Sequence, residues 1–333
     1  AEKHLGACQN LEGRSERLQL EWLLLRLQAG ETTEVEPGLR NCVMEDHPQS
    51  NWILEALARS YIKDLRFRQA YRCLELWLKR EPDQLRALTI RAKLGRLMEV
   101  EFREPTLADY QRVLELNPDH WKARLELADI LLADRKTAVA LQHLEIVGKT
   151  QGECADYLLV LGKARVLEGQ SGEARKLFQR VIALNSKNPE VFQQLGQLEL
   201  QEGRPAEAEC WFRNAVQADP TFGLAYFSLY SSLTQQNKTE KAQIELQNYK
   251  DFKADMENLK RHLDDFEKTA KPASLVEAGE LITRRGNDDL GRQFLLRALE
   301  MDPANRKAHQ LLLQYYTKKN QPQEAVKHRK YLE

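Results

Sequence analysis

The sequence predicts an all-α solenoid built from repeated helical hairpins, and three periodicities predict it. Small residues recur at Ala58, Ala92, Ala128, Gly162, Gly196 and Gly279, in steps of 34, 36, 34, 34 and 83 residues. A second series, Ala140, Ala174, Ala208, Ala242 and Ala325, steps by 34 and then by the same 83. Prolines keep the phase, with Pro48, Pro82 and Pro118 separated by 34 and 36. A fixed period of this length is the mark of a stacked repeat, in which each unit buries its apolar face on its neighbours.

The units begin near residues 17, 51, 85, 121, 155, 189, 223, 272 and 306. Before the first of them, Ala1 and Leu5 fall where a second helix would be, so a partial N-terminal unit is expected. In each unit the small residue of the first helix and the alanine of the second let two backbones approach closely. Large side chains fill the wedge between units. A proline after the second helix stops it, because the ring clashes with a continuing turn. Turn chemistry separates the two helices at Glu168-Gly169-Gln170-Ser171-Gly172, Glu202-Gly203-Arg204-Pro205 and Asn320-Gln321-Pro322.

Two units depart from the pattern. Unit 85–120 puts Arg91 in an apolar slot and Gly95 in an aromatic one, with a two-residue slip near 99–105; local irregularity is expected there. Unit 223–271 puts Tyr230 in the small-residue slot, which should separate or rotate its helices, and it is lengthened. Thr239 to Lys271 holds no glycine or proline, so it reads as one helix of about 50 Å. Tyr249, Phe252, Met256, Leu259, Leu263 and Phe266 make an apolar stripe along it. The stripe reads first as packing on adjacent units, and second as an arm that docks a partner or another copy of the chain. The expected organisation is a solenoid over 1–271, including the long helix 239–271, continued by further units over 272–333.

The motif set is carried well by Phe192, Leu195-Gly196, Ala208, Phe212, Ala215 and Pro220, and again by Leu275, Ala278-Gly279, Ile282, Gly291, Leu295, Ala298 and Pro303. On these residues the chain resembles the tetratricopeptide repeat family over nearly its whole length. The resemblance implies a right-handed solenoid of about eight helix-turn-helix units plus the partial N-terminal one. It also implies that the first helices line a concave groove, facing it with the second, fifth, ninth, twelfth and thirteenth positions of each unit.

Carried over by that register, the groove of residues 51–188 holds Arg59, Lys63, Arg86, Lys93, Arg96, Lys122 and Lys163 against Glu55, Asp129 and Asp156. Seven cations against three acids, on a chain with 50 basic and 50 acidic side chains, favour an acidic partner segment in the N-terminal half. Trp52 and Leu125 are the expected apolar anchors. The C-terminal groove is expected to be lined by Gln193, Gln197, Gln201, Ser231, Thr234, Gln235, Gln310 and Gln314, with Phe227 and Tyr316 nearby. Amides and hydroxyls there suit hydrogen bonding to an extended peptide. The asparagine that some repeats of the family use to clamp a terminal carboxylate is absent at the ninth position, which disfavours that mode.

Other classes find no support. Balanced charge gives no pull toward nucleic acid or an anionic membrane. No apolar run reaches eighteen residues, so no membrane insertion is expected. No catalytic or phosphate-binding motif occurs, and the seven histidines are dispersed; no enzyme activity, metal or cofactor is expected. Cys8, Cys42, Cys73, Cys154 and Cys210 are widely spaced, which fits packing in a reducing compartment and weakly favours the cytoplasm. Ends that break inside a repeat suggest a segment of a longer protein. The functions expected are a protein-interaction scaffold or, alternatively, the substrate-recruiting region of a larger enzyme such as a glycosyl- or sulfotransferase.

Overall fold

The computed structural model describes residues 16–29, 32–64, 66–98, 102–185 and 187–333. The partial unit expected at Ala1 and Leu5, and residues 99–101 of the slip, lie outside the described residues. Among the described residues there are eighteen helices and no strand: α1 (Glu16–Ala29), α2 (Thr32–Met44), α3 (Ser50–Lys63), α4 (Phe67–Arg80), α5 (Leu85–Leu97), α6 (Arg103–Leu116), α7 (Trp121–Ala133), α8 (Thr137–Gln151), α9 (Ala155–Leu167), α10 (Ser171–Leu184), α11 (Pro189–Gln201), α12 (Pro205–Ala218), α13 (Gly223–Gln235), α14 (Thr239–Thr269), α15 (Pro272–Arg284), α16 (Asp288–Met301), α17 (Arg306–Lys318) and α18 (Pro322–Arg329).

The chain divides into two compact units. One comprises residues 1–118 with 265–271, and the other 119–264 with 272–333. In the first, α1 packs on α2, α3 on α4 and α5 on α6; α1 also touches α3. In the second, α7–α8, α9–α10, α11–α12, α15–α16 and α17–α18 are the packed pairs, and α7, α9, α11 and α13 touch in succession. First helices therefore stack on first helices, which leaves one face of each stack lined by them.

Local chemistry explains the helix ends. Asn188 Oδ1 accepts from the amides of Glu190 (2.9 Å) and Val191 (3.3 Å), and Pro189 occupies the first turn of α11. The turn between the paired helices uses the same fifteenth position in six units. Arg135, Gly169, Gly203, Asn237, Gly286 and Asn320 all have φ between 55° and 90°. Glycine and asparagine tolerate that left-handed backbone, whereas arginine is strained in it. Arg135→Gly is therefore expected to raise stability by about 0.5–1 kcal/mol, after glycine's greater freedom in the unfolded chain is set against the relieved strain. Urea denaturation of the two proteins measures it, and an unchanged or lower midpoint would refute the strain.

The small-residue series has its physical counterpart in close contacts. A Cβ on Gly162 would run into the Phe178 ring, and one on Gly196 into the Phe212 ring. Both rings are fully buried. Around Phe178 the residues Leu158, Leu159, Ala174, Val181, Val191, Phe192, Leu195, Leu198, Ala215 and Ala225 form one continuous apolar cluster across three hairpins, while Phe212 packs with Ala208 and Leu229.

The two irregular units resolve differently. Arg91 in its apolar slot forms a two-pronged ion pair with buried Asp109, Nε to Oδ2 at 2.8 Å and Nη2 to Oδ1 at 2.6 Å. Gly95 lies against Thr106 and Phe102, which leave no room for a side chain. In the other unit, Tyr230 fills the small slot, and the tight approach moves to Gly223 at the start of α13, beneath the ring of Phe252. Phe252 also stacks on Tyr226, with centroids 6.0 Å apart. The α14 stripe thus lies partly or wholly buried in its own chain, and Phe266 is enclosed. At the end of α14, Glu267 Oε1 accepts from the Arg68 amide at 2.9 Å, and its carbonyl accepts from Gln69 Nε2 at 3.1 Å, so residues 265–271 tie onto the start of α4.

Candidate partner-binding sites

Each compact unit carries a groove pocket on its first helices. In the first unit, α3 contributes Trp52, Glu55, Arg59 and Lys63, α5 contributes Arg86, and α1 contributes Leu24, Leu27 and Gln28; together they bound about 420 Å³. The i, i+4 spacing of Glu55 and Arg59 and the stacking of α5 on the preceding hairpin bring one carboxylate between two guanidiniums. Glu55 Oε1 lies 2.9 Å from both Arg59 Nη2 and Arg86 Nη1. Trp52 stands 70% exposed beside them, an unusual state for an indole. The lining holds three cations to one acid.

In the second unit, α11 and α13 enclose about 510 Å³. Gln193, Gln197 and Gln201 project from α11, facing Leu224, Phe227, Ser228 and Ser231 of α13. No residue of this lining is ionisable. Phe227 is held between Tyr230 and Tyr249, with centroids at 6.0 and 5.4 Å.

The structure brings together four of the basic-site residues, Trp52, Arg59, Lys63 and Arg86, and six of the polar-site residues, Gln193, Gln197, Gln201, Phe227, Ser231 and Gln235. Lys93 and Arg96 are exposed on α5 outside the first pocket. Lys122 is exposed in the second unit, its ammonium 5.4 Å from the ring of Trp121. Lys163 is not a groove cation open to a ligand. Its ammonium is clasped by Asp129 Oδ1 at 2.9 Å and by Glu190. Burial opposes its charge, but the two carboxylates outweigh that and raise its pKa. Leu125 is only 7% exposed and belongs to the core, so it does not serve as an anchor. Tyr316 is buried against His328, with near-parallel rings 5.5 Å apart. Leu24, Leu27 and Gln28 were missed because the groove register was carried only from residue 51 onward; applied to the unit starting at 17, it reaches Gln28 at the twelfth position but not Leu24 or Leu27, which sit at the eighth and eleventh.

Two family profiles described as tetratricopeptide repeat match residues 107–153 and 165–233. A tetratricopeptide repeat protein from Parabacteroides merdae superposes with a TM-score of 0.61, covering 70% of this chain and 92% of that one at 16% identity. This chain is a tetratricopeptide repeat solenoid. Such repeats serve in general as protein-interaction modules, and their presence indicates a scaffold of that kind. The human IFIT1 dimer with m7Gppp-AAAA superposes with a TM-score of 0.53 over 99% of this chain and 84% of that one, at 16% identity. Human Protein O-mannosyl-transferase TMTC3 is 27% identical over 229 residues, 67% of this chain; the match spans one fifth of that relative's length. Among the described residues no cluster of His, Cys, Asp and Glu is placed to hold a metal, and no helix is long and apolar enough to cross a membrane.

Proposed function

We propose that this solenoid holds a segment of a partner protein, and that the pocket of α1, α3 and α5 takes an acidic stretch of it. The observation that carries the reading is an exposed Trp52 standing among Arg59, Lys63 and Arg86 with Glu55 as the one acid in the lining. An indole anchors by apolar area, and arginine pairs with carboxylates through two parallel N–H donors. Lys93 and Arg96, exposed on α5 of the same unit, extend the positive potential that speeds capture. The balance of 50 basic and 50 acidic groups gives no such support for RNA, the ligand class seen with IFIT1.

Fluorescence anisotropy with a labelled peptide that alternates Glu or Asp with Leu tests it. The double variant Arg59→Glu/Arg86→Glu, altered only at half-exposed side chains, is expected to weaken binding at least tenfold and to flatten its salt dependence. Equal affinity for both proteins would dispose of the site.

The similarity to TMTC3 favours a second reading, in which the chain is the substrate-recruiting part of a larger transferase. The open reading frame on either side decides it, since a transferase domain must lie there.

A further inference from the structure

We propose that the pocket between α11 and α13 binds the main chain of an uncharged, extended polypeptide segment, with Gln193 as its fixed point. The inference rests on the scaffold reading but concerns a separate site of opposite chemistry.

Three observations converge. First, Gln193 is only 5% exposed and half of its amide is unpartnered: Nε2 donates to Ser228 Oγ at 2.8 Å, while Oε1 has no hydrogen-bond partner. Turning the amide over does not help, because the serine hydroxyl then serves the oxygen and strands the nitrogen. An orphaned buried amide is costly, and a peptide main chain, carrying both N–H and C=O, can satisfy either end. Second, Gln193, Gln197 and Gln201 succeed one another at i, i+4 and i+8 along one face of α11 and all line the pocket. Four helical residues rise about 6 Å. Two residues of an extended chain advance about 6.7 Å. A strand laid along α11 therefore presents a main-chain group to each amide at every second residue. Third, the lining contains no ionisable group. A charged guest side chain would lose water there and gain no countercharge, so the pocket selects for neutral segments. Leu224 and Phe227, both about half exposed, supply an apolar seat for an alternate side chain on the α13 side.

The test uses the full chain and two capped nonapeptides of Ser, Thr, Gln and Leu, identical except that one is N-methylated at alternate main-chain amides. Isothermal titration should show the unmethylated peptide binding, with at least a fivefold loss on N-methylation, on Gln193→Met and on Gln197→Ala. Gln197 is exposed, so its variant keeps the test alive should Gln193→Met fail to fold. Arg59→Glu/Arg86→Glu should leave this binding unchanged, which separates the site from the acidic-segment pocket. Equal affinity for the methylated peptide, or for one with Glu at every second position, would overturn the proposal. So would no binding by the unmethylated peptide while the acidic peptide still binds the first unit. Failure of the acidic peptide alone would overturn only the basic-pocket reading.

Discussion

Arg91→Ala is expected to cost about 3–5 kcal/mol, a large part of the stability of an ordinary domain. Asp109 is 2% exposed, and its two oxygens are met by Arg91 Nε and Nη2. Removing the guanidinium leaves a carboxylate out of water with its strongest partner gone. Breaking such a pair is much worse than replacing both halves with apolar groups. Arg91→Leu/Asp109→Leu should therefore recover most of the loss, since leucine or alanine fills the position of Arg91 in neighbouring units, as at Leu57, Leu127, Leu195 and Ala278. Arg91→Lys should recover little, because an ammonium is a point charge and cannot span both oxygens. In a repeat stack the damage should concentrate nearby, so amides of α5 and α6 should lose hydrogen-exchange protection first. A single variant that loses under 1 kcal/mol in urea would show that the pair does not hold this hairpin together.

Phe212→Ala should cost a similar amount, about 3–5 kcal/mol, for a different reason. The ring is fully buried and lies over Gly196, with Ala208, Leu229, Leu200 and Val216 around it. Its deletion removes apolar contact and leaves a void that two stiff helices cannot close. Gly196→Ala is the opposite error: the added methyl meets the ring, and overpacking of this kind costs about 1–3 kcal/mol. The two changes occupy the same space. The double variant should therefore be less destabilised than the sum of the singles, by 1 kcal/mol or more. Simple additivity in thermal or urea unfolding would mean that ring and glycine do not share this contact.

Much of this architecture was legible because a repeat states its packing rule many times. Small residues at a fixed phase identified the close approaches at Gly162 and Gly196, and glycine or asparagine marked the turns at Gly169, Gly203 and Asn320. What one position shares with a non-neighbour was harder to see. Arg91 read as an irregularity because its partner Asp109 lies on the second helix, where no periodic rule calls for an acid. Lys163 counted as an available cation because Glu190, which holds it with Asp129, belongs to the following unit and stood outside the charge count. Leu125 counted as groove-facing because register gives the angular position of a residue but not how deeply the helix is set.

The tie between Glu267 and the start of α4 has a bearing on the order of assembly. Nearly every other contact in the first unit joins stretches made within a few dozen residues of each other. This one waits for a segment synthesised about two hundred residues later. During translation α1 to α6 can associate as soon as they emerge, but the amide of Arg68 gains its carboxylate only after the ribosome has passed α14. The first unit is therefore begun early and finished late, and its last step reports that the hairpins in between have been made.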